Sequence, residues 1–162
     1  MANRRGISNV IATIILIAVA IALAVAVAIW AFGLFKSNAH AGTLNSISQD
    51  LYISGGTAYL VLYVSNPTGT TQNIVSVTLS GNTCTFQGAS SSITPSDVSA
   101  YNTITAGVVS TNGMVAITGG TMVYLVYNCG AGTYTPGISY SGTIYLSSGS
   151  NIPFSVTAQS VS

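Results

Sequence analysis

Charge is almost missing from this sequence. Of 162 residues only 3% are charged, against roughly a quarter in an average soluble domain. There is no glutamate. Asp50 and Asp97 are the only acidic side chains, Arg4, Arg5 and Lys36 the only fixed cations, and His40 the only histidine. Each scarcity excludes something. Without clustered Lys and Arg there is no footprint for phosphates, so no nucleic-acid partner is expected. With one histidine, two cysteines and no CxxC spacing, no metal site is expected. No nucleophile–base grouping can be assembled, which argues against an enzyme, and no cofactor is expected. His40 could serve as a ligand or a pH sensor, but with no partner in view it reads as an exposed linker residue. Asp97, in "TPSD", reads as a turn residue, and Asp50 as a solvated residue just before the first strand. Stability depends on pH only through groups whose proton binding changes on folding. So few carboxylates predict a folding free energy almost flat from neutral to strongly acid conditions, as suits a harsh exterior.

Serine, threonine, asparagine, glutamine and glycine take the polar load instead. The net charge is +1, and it falls close to zero once residues 1–6 are set aside. The chain divides into two unlike parts. From Ile7 to Phe35 runs "ISNVIATIILIAVAIALAVAVAIWAFGLF", 29 residues with no charge and no proline. As a helix it would reach about 43 Å, more than the ~30 Å hydrocarbon core of a bilayer. β-Branched residues alternate with alanine from Val19 to Ile29, which resembles a strand pattern. Length decides for helix, because a lone lipid-facing strand leaves its backbone groups unpaired. The segment is apolar on every face, as in lipid or at the centre of a bundle. Ala18, Ala22 and Ala26 are four apart, as are Ala20, Ala24 and Ala28. Small residues at that spacing let helix backbones approach closely, though alanine is also common filler in anchors. A polar junction, residues 36–42, follows as a hinge.

From 43 to 162 the period changes to two. Apolar or alternating runs at 58–64, 73–79, 114–117, 121–127, 138–146 and 154–158 are separated by turn-formers such as Asn66-Pro67-Thr68-Gly69, Gly81-Asn82, Asn112-Gly113 and Pro136-Gly137. Gly119-Gly120, between two apolar runs, predicts a two-residue hairpin. Seven or eight short strands without an amphipathic helix predict an all-β, immunoglobulin-like antiparallel sandwich as the outer domain. Cys84 and Cys129 are expected to pair and could staple its sheets, closing a loop worth about 4 kcal/mol; the alternative is two separate buried thiols. No tryptophan lies between them, so the antibody-type family is not indicated.

Arg4 and Arg5 stand directly before the apolar run, and should hold the N-terminus on the cytoplasmic side with the β domain outside. The run is too long for an ordinary secretory signal, and no small-residue cleavage site follows it. Arg4-Arg5-Gly6 followed by Ile7-Ser8-Asn9-Val10-Ile11-Ala12 resembles the class III signal of archaeal type IV pilins and archaellins. The resemblance covers only the N-terminal segment through the apolar run. It implies a leader, residues 1–6, cut between Gly6 and Ile7 by a prepilin peptidase, with the apolar helix 7–35 kept on the mature subunit. It further implies a helical homopolymer whose helices leave the membrane to form the filament core, assembled with a dedicated ATPase and a membrane platform protein. Bacterial type IV pilins carry glutamate at the fifth mature position, where this chain has Ile11. Apolar packing would therefore have to set the register.

The expected function is a structural subunit of an extracellular archaeal type IV pilus serving adhesion to host or abiotic surfaces. Two alternatives stand beside it: an archaellin of the motility filament, and a single-pass membrane-anchored surface protein. No usable Asn-x-Ser/Thr sequon is present, since Asn66-Pro67-Thr68 is blocked by its proline. Any glycan coat is expected to be O-linked, on runs such as Ser90-Ser91-Ser92 or Ser147-Ser148. Tyr101, Tyr134 and Tyr140 are either outer-face binding residues or core and inter-subunit packing.

Overall fold

The computed structural model describes residues 3–39 and 43–161. The chain forms two compact units that divide at Ala41/Gly42. The first is a single helix, α1 (Asn3–Ala39). It runs past both expected ends, through the proposed cleavage point and into the segment read as a hinge. No proline or glycine pair interrupts it there, and a continuous helix satisfies its own backbone. His40 and the rest of the hinge lie outside the described residues. From Gly6 to Gly33 the helix has a mean hydropathy of 3.2 and none of its side chains is buried, so it is long and apolar enough to cross a membrane.

The second unit contains nine strands: β1 (Asn45–Ser54), β2 (Thr57–Ser65), β3 (Gln72–Leu79), β4 (Asn82–Ser90), β5 (Val108–Thr111), β6 (Met114–Ile117), β7 (Met122–Ala131), β8 (Ser139–Leu146) and β9 (Asn151–Ser160). A 3₁₀ turn spans Pro95–Ala100. The strand order is β4-β7-β2-β1-β9-β8-β3, and β3 pairs back onto β4. Seven strands therefore close into a barrel, not the open immunoglobulin-like sandwich that the alternation suggested. Two pairings make the difference. β1 and β9 run parallel, with Leu51 opposite Ala158 and Ile53 opposite Ser160. β4 joins both β7 and β3, which removes both edges. The β1–β9 and β4–β7 pairings join segments far apart in the chain, and a period of two puts apolar side chains inside a barrel and a sandwich alike.

Inward-facing Leu51, Leu60, Leu62, Val77, Leu125 and Ile144 are fully buried and fill the interior. At mid-wall, Gly142 of β8 faces Leu79 of β3 and Phe154 of β9. A Cβ there would collide with the Phe154 ring and the Thr78 carbonyl, so only glycine lets that ring lie across the strand. Asp50 lies within β1 rather than before it, half-buried.

The expected Gly119-Gly120 hairpin does not form. β6 pairs with β5 and β3, whereas β7 pairs with β2 and β4. The two glycines instead carry the chain closely over the Asn66 loop. A Cβ on Gly119 would sit 2.5 Å from the Thr68 carbonyl oxygen, and Gly120 N–H donates to the Asn66 carbonyl at 2.7 Å. Asn66, fully buried, donates from Nδ2 to the Ile117 and Thr70 carbonyls and accepts from Thr68. The tight two-residue turns lie elsewhere. One is Gly55-Gly56 between β1 and β2; the others are Ser80-Gly81 and Asn112-Gly113. All have positive φ at both positions, which lets the flanking strands keep their twist.

Candidate functional surfaces

On α1, the large apolar side chains from Ile7 to Phe32 are 50–71% exposed. Arg4, Arg5, Gly6 and Ile7 all lie in its first turns. The six alanines of the two four-residue rows are exposed too. At 100° per residue, Ala18 and Ala20 point about 200° apart. The row Ala18, Ala22, Ala26 therefore runs along one side of the helix, and the row Ala20, Ala24, Ala28 along nearly the opposite side. Close neighbours are possible on two faces rather than one. The polar residues sit at the N-terminal end, where the Thr13 hydroxyl donates to the Asn9 carbonyl at 2.8 Å and so hides part of its own polarity.

In the barrel, Cys84 of β4 and Cys129 of β7 form a disulfide. It joins neighbouring strands of one wall and does not staple two sheets. Cys84 also stands opposite Val77 of β3, so the covalent link sits beside the seam where the barrel closes. Further along β4 a bulge at Gln87, followed by Gly88 with no side chain to obstruct, lets the 101–105 segment approach. Ala89 N–H donates to the Thr103 carbonyl, and Thr105 N–H to the Ala89 carbonyl. That segment satisfies the stretch of β4 that β3 leaves unpaired.

The tyrosines named from sequence are packing residues. Tyr134 is buried, donates its hydroxyl to the Leu79 carbonyl at 3.0 Å, and meets Tyr140 edge to face at 4.9 Å. Tyr140 and Tyr101 accept from the backbone N–H groups of Thr135 and Thr94. The outer tyrosine face also holds Tyr52 on β1, Tyr59 and Tyr63 on β2, and Tyr124 on β7. Tyr63 and Tyr124 are cross-strand partners stacked at 4.2 Å. Tyr52, Tyr59 and Tyr124, together with Tyr101, pack against a small outer cluster of Val61, Val126 and Val98, the last supplied by the 3₁₀ turn. The sequence carries a signal for this face: in "AYLVLYV" and "TMVYLVY" Tyr59, Tyr63 and Tyr124 hold outward positions of near-continuous apolar strands, whereas Tyr127 points inward. Burial, then the nearby Asp50 and Tyr124, raises the Tyr52 hydroxyl above its ordinary value.

Among the described residues no three His, Cys, Asp or Glu side chains come together as a metal site. The serine runs named for glycans are accessible: Ser91, Ser92, Ser147 and Ser148 are exposed and Ser90 is half-buried. One core group stands apart. Tyr127 of β7 is buried, and its hydroxyl has no hydrogen-bond partner among the described residues. The chain matches no known family model and no curated protein sequence.

Proposed function

We propose that this chain is the precursor of a structural subunit of an extracellular archaeal type IV pilus. In this reading a prepilin peptidase removes residues 1–6. The apolar helix leaves the membrane into a filament core, and the barrels stand on the outside, where they serve adhesion. The observation that carries the reading is the helix itself: 28 residues from Gly6 to Gly33, uncharged and without a buried side chain. Such a surface is stable in lipid, and in water only when neighbours of its own kind cover it. Opposed alanine rows suit a helix with neighbours on two sides, as in a polymer. Gly6 supports the position of the cut, since glycine weakens a helix by about 1 kcal/mol relative to alanine and makes that turn the easiest to unwind for a peptidase.

Replacing Gly6 by leucine tests the reading. The expected outcome is an uncleaved, membrane-bound precursor and no filaments. Normal filaments from the Gly6→Leu precursor would contradict the processing step, and an intact Met1 on the wild-type chain in the membrane fraction would favour a single-pass anchor. Loss of filaments together with the rotary motor would assign the chain to the archaellins instead.

A further inference from the structure

One irregular place in the barrel wall lies beside Tyr127, the core hydroxyl without a partner among the described residues. Along a single edge, β3 changes partner. Gln72, Asn73 and Ile74 pair with β6, whereas Val77, Thr78 and Leu79 pair with β4. Val75 and Ser76 bridge the change, and the opposite edge of β3 is irregular at the same point, between Ile74 and Ser76. Two strands cannot both continue past such a switch, so an opening is left between β4 and the Asn112-Gly113 turn. Its volume is about 250 Å³, and Tyr127 lines it from the barrel side.

Tyr127 is 2% exposed and its hydroxyl is unpaired among the described residues. Leaving a buried hydroxyl unpaired is costly, and native interiors rarely tolerate it without a bound water or ligand. Its ring meets Phe86 edge to face at 5.4 Å. Ser76, Thr83, Thr85 and Asn112 also line the opening and bring hydroxyl and amide groups to it by residue type. No charged side chain lines it, so an ionic ligand would find no counter-charge and would lose its hydration. Hydroxyl- and amide-bearing residues beside an aromatic ring suit a neutral, hydroxyl-bearing ligand. A second opening of about 460 Å³ shares Thr83, Thr85 and Phe86 and continues along β4 toward Gln87 and Asn128, which gives room beyond a single ring.

We propose that this opening is a binding site for a neutral sugar, with one hexose ring seated against Phe86 and a ring hydroxyl paired with Tyr127. The site belongs to the barrel and does not depend on whether the chain polymerises.

The test uses the full chain in a detergent without a sugar headgroup. Glucose, galactose, mannose and N-acetylglucosamine, their disaccharides, and glucuronate as an anionic control are titrated by calorimetry and by saturation-transfer NMR. The expected result is saturable binding of at least one neutral sugar and none of glucuronate. Tyr127→Phe should weaken that binding about tenfold, the loss of one buried hydrogen bond, while the unliganded protein melts no lower than the parent. Thr85→Val, at the mouth, should weaken binding without lowering the melting temperature. A disaccharide that binds more tightly than its monosaccharide identifies the end of a glycan as the source; equal affinity identifies a free sugar. The proposal is overturned if no neutral sugar saturates, if Tyr127→Phe leaves affinity unchanged, or if a crystal grown with saturating sugar shows only ordered water on the Tyr127 hydroxyl.

Discussion

Two tyrosine hydroxyls, Tyr127 and Tyr52, are shifted by their surroundings, and both point to the alkaline side. Burial holds the Tyr127 hydroxyl well above its ordinary value of 10.0, and Tyr52 is raised less deeply in the wall. An unfolded chain gives up these protons near pH 10, whereas the barrel keeps them. Above that pH the unfolded state binds fewer protons than the folded one, so stability falls as pH rises. Below it the contribution of both groups is fully present. Toward acid pH composition decides: the sequence holds only two acidic side chains, Asp50 and Asp97. The melting temperature should therefore hold nearly level from neutral pH down to about pH 3, then fall above about pH 10. Tyr127→Phe should flatten the alkaline limb. A steep loss between pH 7 and about pH 3 would contradict this picture.

Among the elements, β4 has the most demanding position. It closes the barrel through only three pairs with β3, Val77–Cys84, Thr78–Thr83 and Leu79–Asn82, and the disulfide fastens it to β7 at the first of these. The bond restricts the unfolded chain by a loop of 45 residues, worth about 4 kcal/mol on the chain-entropy model. Replacing both cysteines by alanine should lower stability by most of that amount. Hydrogen exchange in that variant should quicken first at Asn82–Phe86 and the facing residues of β3. Uniform acceleration around the barrel would show that the link only limits the unfolded state and does not guard the seam.

Strand legibility followed the same logic. β2, β3, β6, β7, β8 and β9 were visible because apolar side chains recur on one face between turn residues. β1 was hidden, since "NSISQDLYIS" shows a buried apolar residue only at Leu51. β4 was hidden too, because Phe86 is the one large apolar residue it turns toward the core, its buried positions being Cys84, Gly88 and Ala89. The Gly119-Gly120 reading failed for a related reason. A glycine pair reports a need for unusual backbone or close approach, and here the approach is to the Thr68 carbonyl rather than a strand reversal.

At the scale of the whole molecule, the division of labour was plain from the sequence and the architecture of the second part was not. A charge-free run of 29 residues beside a hydroxyl-rich, period-two segment could be separated by composition alone. Closure into a barrel could not, since it depends on β1 meeting β9 in parallel and on β4 reaching β7 as well as its hairpin neighbour β3, and the first two contacts join segments far apart in the chain. The opening beside Tyr127 was equally invisible, because it exists only where β3 changes partner. For the functional reading, the barrel supplies a neutral, closed surface with few groups for acid to attack, and the helix supplies an apolar face with no cover of its own. The proposed filament joins these needs, since polymerisation buries the helix and leaves the barrel outside. The most direct measurement is the intact mass and N-terminal sequence of the subunit in filaments purified from the surface of the cells that make this chain. The account predicts a subunit beginning at Ile7, with Arg4, Arg5 and Gly6 gone and the whole apolar helix retained. A chain still beginning at Met1, recovered only from detergent-extracted membranes and never in filaments, would contradict it.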